Sequence, residues 1–473
     1  MTHSLLNMKK TCFIVSMLAL SLGCGLNGND ATSTAQTIST HETFVIRHPE
    51  WVKNATIYEV NLRQHTPQGT INAFVQDMDR IKNLGVDILW FMPVNPIGQL
   101  NRKGSLGSYY SVKDYKALNS EFGTMADFKN MVKVAHSKGM YVILDWVANH
   151  TAWDNQWITD HPDWYTHDAS GKIIPPVADW SDVADLNYNN KDMRAAMIDA
   201  MKFWVKECDI DGYRCDVAME VPTDFWDDAR AELDKIKPVF MLAEAEQKDH
   251  HLKAFDMCYG WEFLHLMNGI AKGEKSPNDI DQYVAKKSTE FPKSTIHMYF
   301  TTNHDENTWN GTGLERYGKA RNLYDVLAYT IGGMPLVYSG QEGNEMHADG
   351  KPHRYRFFEK DTINFNQYPN SNLYLTLLKA HHEIPALWNG ADGGTFNRIH
   401  TSNSKIYAYS RVKGESQVIV MLNFNEAPQS TSFTDVIPTG IFNSIFDGKG
   451  LALYATGNAQ IQGYGYQVFV KDK

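Results

Sequence analysis

Short apolar runs recur along the chain from residue 56 onward, and most of them are followed by an amphipathic stretch. Eight of these runs have the length and the β-branched and aromatic content of buried strands. They are TIYEV, VDILWFMPV, YVILDWV, DGYRCDV, VFMLAE, FDMCYGW, HMYFTTNH and MPLVYSGQE. Because the runs are nearly continuous in apolar residues, they indicate a parallel sheet that is covered on its outer face.

The stretches between the runs have the period of helices. In MADFKNMVKVAHSKG, the residues Phe128, Met131, Val132 and Ala135 are spaced as one buried helix face. KDMRAAMIDAMKFWVKEC and PTDFWDDARAELDKI are further helical runs. The count of eight strands, with no glycine-rich phosphate loop after the first, favours a closed (β/α)8 barrel over a doubly wound open sheet.

Two segments depart from this alternation. After the third strand, residues 151–190 are rich in turn formers and tryptophans and have no helical period, which predicts a short inserted loop domain. From about residue 394, SKIYAYSRV, SQVIVMLNFN and GYQVFVK alternate without helices between them, which predicts a C-terminal β-sandwich. We therefore assign residues 46–393 to the barrel with its loop domain and residues 394–473 to the sandwich.

The N-terminal segment has the features of an export signal. Lys9 and Lys10 precede the run CFIVSMLALSLG, which is too short to span a membrane as a helix. The sequence LSLGC resembles the lipobox of bacterial lipoproteins. This resemblance predicts a signal peptide over residues 1–23 and a lipid on Cys24. A plain cleaved signal peptide is the alternative. Residues 24–45 predict a flexible tether. We expect an exported protein, lipid-anchored in the bacterial cell envelope and facing the periplasm or the outside.

Charge and composition narrow the choice of partner. The formal net charge of the 473-residue chain is -10, and no basic block is longer than a short pair, which argues against a nucleic-acid partner. Aromatic residues make up 12% of the chain and suit either a core or platforms for ring-shaped ligands. Cys208, Cys215 and Cys258 have no metal-ligand spacing and are predicted to be buried apolar residues. The sequence does not indicate an oligomeric state.

Charged residues follow several of the predicted strands at their C-terminal ends. Asp145 lies near the end of the third strand, Asp216 at the end of the fourth, Glu244 at the end of the fifth and Asp305 at the end of the seventh. In a barrel of parallel strands these ends meet at one face. Any one of these acids could be part of a structural ion pair, but together they predict a site at the barrel mouth.

The acids suit the cleavage of an acetal, which needs one ionised and one protonated carboxyl group. Alternation puts Arg214 and Asp216 on the same side of a strand, so the guanidinium is expected to lower the pKa of Asp216. Glu244 follows the apolar run VFML, where burial is expected to raise its pKa. Asp305 is adjacent to His304, and this pair suits gripping sugar hydroxyls and stabilising positive charge in a transition state.

Four segments carry a family resemblance. DWVANH, GYRCDVAME, LAEAE and FTTNHDE, in that order, resemble the four signature regions of the α-amylase family, glycoside hydrolase family 13. VADLN around Asp185 and LGSYYSVKDY resemble two further motifs of the family, and the likeness covers most of residues 56–390. The resemblance implies retaining cleavage of α-glucosidic bonds, mainly α-1,4, in starch-like glucans or maltooligosaccharides through a covalent glycosyl-enzyme intermediate.

The resemblance also assigns roles to residues. It implies that Asp216 is the nucleophile, Glu244 the general acid/base and Asp305 the stabiliser of the transition state. The residues that it implies for substrate binding are Tyr110, His150, Arg214 and His304. Glu246 would share a face with Glu244 in a straight strand, but the register favours Glu244 because it directly follows the apolar run.

The chain departs from many family members at Met219 and Glu220, where a Lys-His pair is common. DVAMEV is closer to the DVANEV of neopullulanase and cyclomaltodextrinase relatives. An α-glucan transglycosylase and a pullulan- or cyclodextrin-degrading enzyme are therefore alternatives, as is a non-catalytic glycan-binding protein on the same fold.

Family members often hold Ca²⁺ where the loop domain meets the barrel, and Asn149 and Asp185 match two of the ligands. Oxygen donors suit calcium, but a hydrogen-bonded anchor for the loop is the alternative role for these two residues. No organic cofactor is expected.

Overall fold

Eight parallel strands close into a barrel in the computed structural model, which describes residues 46–343, 345–347, 350–365, 370–435, 440–453 and 458–471. The first ten strands are β1 (Ile57–Val60), β2 (Ile88–Phe91), β3 (Tyr141–Trp146), β4 (His150–Ala152), β5 (Val183–Asp185), β6 (Gly212–Cys215), β7 (Phe240–Ala243), β8 (Met257–Tyr259), β9 (Ile296–Tyr299) and β10 (Met334–Tyr338). The barrel order is β1-β10-β9-β8-β7-β6-β3-β2. Each barrel strand overlaps one of the eight predicted runs, so the predicted (β/α)8 barrel is confirmed.

Helices accompany most of the barrel strands. They are α1 (Leu62–His65), α2 (Ile71–Val75), α3 (Met78–Leu84), α4 (Met125–Ser137), α5 (Gln156–Asp160), α6 (Lys191–Cys208), α7 (Thr223–Asp234), α8 (Trp261–Ala271), α9 (Asp279–Glu290), α10 (Gly313–Tyr317), α11 (Arg321–Thr330) and α12 (Ser371–Glu383). Helix α4 begins at a capping box formed by Thr124 and Asp127. Its buried residues are the four that the periodicity predicts.

The segment after β3 forms the predicted loop excursion. Strands β4 and β5 pair in an antiparallel two-stranded sheet, with His150 opposite Asp185. Lys103, in the loop after β2, donates from Nζ to the carbonyl of Asp179 at 2.7 Å and lies 3.2 Å from a carboxylate oxygen of Asp182. These contacts hold the excursion against a neighbouring loop at the mouth of the barrel.

The C-terminal region is built from antiparallel strands without helices between them. They are β11 (Thr395–Ile399), β12 (Ile406–Lys413), β13 (Ser416–Asn423), β14 (Gln429–Ser432), β15 (Gly440–Ser444), β16 (Gly450–Leu453), β17 (Asn458–Ile461) and β18 (Tyr466–Lys471). A six-stranded sheet has the order β11-β12-β13-β18-β15-β16, and β14 pairs with β17.

Alternation along β12 explains how the C-terminal sheet joins the barrel. Ile406 and Ala408 belong to a small core that also contains Ile461 of β17. Tyr407 and Tyr409 point the other way and belong to the main core of the barrel. The sheet therefore buries apolar residues on both faces.

The N-terminal predictions lie outside the described residues: the signal peptide (1–23), the tether (24–45) and the lipid on Cys24. In the ranges that the structure covers, no helix is both long and apolar enough to cross a membrane. Cys208, Cys215 and Cys258 are buried and unbridged, as the sequence predicts.

Candidate active site

A cavity of about 530 Å³ opens at the C-terminal ends of the barrel strands. Its lining includes six of the seven residues predicted for catalysis and substrate binding, namely Tyr110, His150, Asp216, Glu244, His304 and Asp305. The seventh, Arg214, is fully buried and contacts two of these six. The barrel thus brings together side chains that are up to 195 positions apart, from Tyr110 to Asp305.

The Arg214 guanidinium holds three carboxylates at once. Its Nη1 donates to Asp145 Oδ1 at 2.8 Å and to Asp216 Oδ1 at 2.9 Å. Its Nη2 forms an ion pair with Glu244 Oε2 at 2.9 Å, and its Nε donates to the Tyr259 hydroxyl at 3.0 Å. The planar fork of an arginine suits such an arrangement because its donors point in fixed directions.

Aromatic rings surround the same guanidinium. The Arg214 Cζ lies 5.2 Å from the centroid of Trp90, 5.5 Å from that of Tyr259 and 5.8 Å from that of Tyr110. Cation–π attraction to these faces replaces part of the hydration that the buried cation has lost. Although burial acts to lower the pKa of Arg214, the charges of Asp145 and Glu244 raise it well above its usual range.

Burial sets the protonation of the two central carboxyl groups. It raises the pKa of Asp216 to about 6, although Arg214 acts in the opposite direction. Burial likewise raises the pKa of Glu244 to about 7, again against Arg214, and the charge of Asp216 adds to the rise. The prediction of a high pKa for Glu244 is confirmed. Arg214 does act to lower the pKa of Asp216, as predicted, but the expected net depression was wrong, because desolvation outweighs the ion pair.

The pKa of Glu244 is higher than that of Asp216, and acetal cleavage requires this order. Glu244 therefore keeps its proton to a higher pH than Asp216 does. Asp216 Oδ1 lies 2.9 Å from Nη1 of Arg214 and Glu244 Oε2 lies 2.9 Å from Nη2, so one guanidinium holds both carboxyl groups.

An unusual backbone conformation fixes Glu244. Val217, directly after Asp216, has φ 36° and ψ 48°, a left-handed conformation that is rare for a β-branched residue. Its N–H donates to Glu244 Oε2 at 2.8 Å. Such a conformation costs about 1–3 kcal/mol and is typical of functional sites, where the surrounding structure maintains it.

His304, Asp305 and Tyr110 also line the cavity, and they form a second group of side chains in mutual contact. The Nε2 atom of His304 lies 2.8 Å from the Tyr110 hydroxyl and 3.3 Å from Asp305 Oδ2. The Tyr110 hydroxyl donates to Asp145 Oδ2 at 3.0 Å. The side chain of Asp305 is 35% exposed, so it faces the cavity and is free to meet a ligand.

His150 lies on the loop-domain side of the cavity. Burial lowers the pKa of His150 to about 4, so its ring is neutral at pH 7. The ring of Trp180 meets it edge-on at 5.5 Å between centroids. A neutral imidazole beside an aromatic ring suits a sugar hydroxyl better than an anion.

The structure separates Glu244 from Glu246. Strand β7 ends at Ala243, so the alternation of a straight strand does not continue to Glu246. The Glu246 carboxylate pairs with Lys287 Nζ at 2.7 Å and accepts from the backbone N–H of Glu262 at 2.9 Å. Only Glu244 of the two lines the cavity.

Comparison with known proteins places this geometry in a family. The family model described as alpha amylase, catalytic domain, matches residues 43–372, which is more than half of the chain. The chain belongs to the α-amylase family. The four segments that carry the resemblance, from DWVANH to FTTNHDE, all fall within the matched residues.

Individual α-amylase family members are similar over most of the chain. The alpha-amylase MalA of Haloarcula japonica is 23% identical over 90% of this chain and 63% of its own length. Alpha-amylase 3 of Dictyoglomus thermophilum is 26% identical over 82% of this chain and 88% of its own. The crystal structure of an alpha-amylase from Lactobacillus plantarum, 28% identical, superposes with a TM-score of 0.79 over 89% of this chain and 99% of that one. The chain thus spans less than two thirds of the haloarchaeal relative.

The predicted calcium ligands of this family member lie together outside the cavity. The Leu186 N–H donates to the Asn149 carbonyl at 3.1 Å, next to the pairing of β4 with β5 that carries Asp185. Burial raises the pKa of Asp185, and the charge of Glu220 acts in the same direction. Among the described residues, no group of three or more His, Cys, Asp or Glu side chains could hold a metal ion. Calcium binding at Asn149 and Asp185 stays a prediction, since calcium also takes amide and carbonyl oxygens as ligands.

Several cavity residues escaped the sequence analysis. Trp180, Trp309, Phe357 and Phe358 provide apolar lining, and Lys103 lies beside them. The indole of Trp309 is 53% exposed. Trp180, Phe357 and Phe358 come from irregular loops, and Trp309 comes from a short π-helical turn, Glu306–Asn310. The only signal in the sequence is the presence of large aromatics in polar segments.

The pKa order predicts a narrow pH profile for this α-amylase family member. Activity should fall below about pH 6 as Asp216 gains a proton, and above about pH 7 as Glu244 loses one. We expect kcat/KM on a maltooligosaccharide to follow a bell whose limbs belong to the coupled carboxylates, including Asp145. A rate that stays constant from pH 5 to pH 9 would contradict these protonation states.

Proposed function

We propose that this protein is a retaining glycoside hydrolase that cleaves α-glucosidic bonds, mainly α-1,4, in starch-like glucans or maltooligosaccharides. One observation carries the proposal: Arg214 contacts both Asp216 and Glu244 at the floor of the cavity. Membership of the α-amylase family and the aromatic residues in the lining of the cavity support an α-glucan as the substrate.

The first step forms a covalent intermediate. A carboxylate oxygen of Asp216 attacks the anomeric carbon while Glu244 gives its proton to the glycosidic oxygen, so the bond to the leaving sugar breaks as the ester bond forms. Asp305 faces the positive charge that develops on the ring. His304 and Tyr110 border the same part of the cavity and are placed to hold the sugar.

The second step releases the glucan. Glu244, now ionised, takes a proton from water, and the resulting oxygen attacks the anomeric carbon on the face that the leaving group vacated. The ester bond breaks, Asp216 leaves as a carboxylate, and Glu244 is again protonated. Two inversions give net retention of the anomeric configuration.

Transfer to a second sugar is the alternative outcome of this step. The half-exposed Trp309 borders the cavity and offers a flat apolar face on which a sugar acceptor could stack in place of water. The same carboxylates would serve both reactions, because only the incoming hydroxyl differs.

Two further proposals concern the protein around this chemistry. The lipobox-like LSLGC supports export and a lipid anchor on Cys24, which would place the enzyme on a membrane of the bacterial envelope. Asn149 and Asp185 support a structural calcium ion at the base of the loop domain, with no part in the catalytic steps.

A panel of defined glucans tests the reaction. Maltoheptaose should be cleaved with release of the α-anomer, read by proton NMR within the first minutes, before the anomers equilibrate. Pullulan and cyclodextrins in parallel reactions report the tolerance of α-1,6 bonds and rings, and products longer than the substrate report transfer. Binding of maltoheptaose without any turnover would favour a glycan-binding protein instead.

Replacing the nucleophile should abolish turnover. Asp216→Asn should lower kcat at least about a thousandfold, because the amide cannot form the glycosyl ester. Thermal unfolding should show that the variant is folded, and calorimetry should show that it still binds maltoheptaose. Activity within tenfold of the wild type would refute the role of Asp216.

Replacing the acid should discriminate between leaving groups. Glu244→Gln should reduce the cleavage of maltooligosaccharides far more than that of an aryl α-maltoside with an activated phenol, since only the sugar leaving group needs a proton. Glu246→Gln is the matched control two residues away, because Glu246 pairs with Lys287 outside the cavity. Equal losses on both substrates in Glu244→Gln would contradict its role as the acid.

A further inference from the structure

A carboxylate that the proposed mechanism does not use is buried in the first barrel strand. Glu59 lies in β1 between Tyr58 and Val60, and all four residues of this strand are buried. Its exposed fraction is 0%. An ionised carboxylate in such a place is costly unless a specific partner compensates for the lost hydration.

The partner of Glu59 is His304. The Glu59 Oε1 atom accepts a hydrogen bond from His304 Nδ1. Within the described ranges, Oε2 of Glu59 has no hydrogen-bond partner. His304 therefore accounts for the hydrogen bonding that the structure gives to this side chain.

The other nitrogen of His304 also faces acceptors. The Tyr110 hydroxyl donates its single proton to Asp145 Oδ2 at 3.0 Å, so at 2.8 Å from His304 Nε2 its oxygen must accept. Asp305 Oδ2, a carboxylate oxygen, lies 3.3 Å from the same Nε2 and forms an ion pair with the ring. Because both ring nitrogens point at acceptors, the arrangement requires a proton on each of them.

The charges around His304 agree with this requirement. Burial acts to lower the pKa of His304, but the negative charges of Asp305 and Glu59 raise it to about 9, against the opposing effect of Arg214. Asp145 is the remaining charged group that interacts with this ring, and Tyr110 is neutral.

We propose that Glu59 is a positioning residue that keeps His304 doubly protonated, so that Nε2–H always points into the cavity as a donor. This inference rests on the proposed function, since a hydroxyl of the bound sugar would share that donor with the Tyr110 oxygen. Glu59 itself touches no substrate and acts only through His304.

Loss of the Glu59 charge should make sugar binding depend on pH. In Glu59→Gln the amide keeps the shape of the side chain but removes the anion, so His304 should lose a proton well below pH 9. The neutral ring would keep its remaining proton on Nδ1 if the amide oxygen accepts it. Nε2 would then turn from a donor into an acceptor, and the charge-assisted hydrogen bond to the sugar hydroxyl would be replaced by a weaker bond in which the hydroxyl donates.

Calorimetric binding of maltoheptaose tests this in the Glu244→Gln background, where turnover does not interfere. With Glu59 intact, we expect the Kd to stay within about twofold from pH 6 to pH 8. With Glu59→Gln added, we expect the Kd to rise about tenfold over the same range. A Kd that does not change with pH in the double variant would overturn the inference and leave the proposed function intact.

Glu342→Gln is the matched control. Glu342 is equally buried, accepts from the Tyr58 hydroxyl at 2.7 Å and pairs with Arg80 at 2.8 Å. In the part of the chain that the structure describes, Glu342 has no hydrogen bond or ion pair with His304, so its loss should change stability without making binding depend on pH. If Glu342→Gln also gives a tenfold pH dependence, the effect belongs to buried charge in general and the inference fails. If Glu244→Gln binds no maltoheptaose at any pH, the proposed function is contradicted instead.

Titration of His304 in the wild-type protein gives a second test that does not require a variant to fold without Glu59. The protein is labelled with ¹³C-histidine and titrated by NMR, and the His304 signal is assigned by its absence in His304→Asn. The ring should lose its proton near the pKa of about 9. A midpoint between pH 6 and pH 7 would overturn the inference.

Discussion

The mouth of the barrel is organised around one buried cation. Arg214 has lost all contact with water, and such a charge is stable only when opposite charges and well-placed acceptors surround it. Asp145, Asp216 and Glu244 provide them from the ends of β3, β6 and β7. Because β3, β6 and β7 are neighbours in the barrel, the pairing of these three strands brings the acids and Arg214 together. The low polarity of the surroundings makes every interaction in the group stronger than it would be in water.

From Arg214 the charges alternate across the whole mouth. Asp145 joins the guanidinium to the Tyr110 hydroxyl, which contacts His304, and His304 lies between Glu59 and Asp305. Groups held in this way need little rearrangement when a substrate develops charge, and such preorganisation accounts for much of enzymatic rate enhancement. The left-handed backbone conformation at Val217 adds to this preorganisation, because it places an N–H against Glu244.

The regular elements of the fold can be predicted from the sequence, whereas features that depend on burial or on irregular loops cannot. The eight strands and the buried face of α4 follow from periodicity, which a short window of residues contains. The direction of the pKa shift of Asp216 does not follow from periodicity. It depends on desolvation by residues far away in the chain, and Arg214, two positions away, by itself suggested the wrong direction. Glu59 was overlooked for a related reason, because in TIYEV it is one polar residue within an apolar strand and only the closed barrel places His304 beside it.

The amino-acid order by itself determined the fold class and the family, and it predicted which acids meet at the barrel mouth, because strand periodicity and short motifs are local properties of the chain. The tertiary structure decided which of Glu244 and Glu246 faces the cavity and which aromatic residues, such as Trp309, line that cavity. It also decided which groups keep a proton. Those outcomes depend on distances between segments that are remote in sequence and on how much water each group loses on folding. No local pattern contains either quantity.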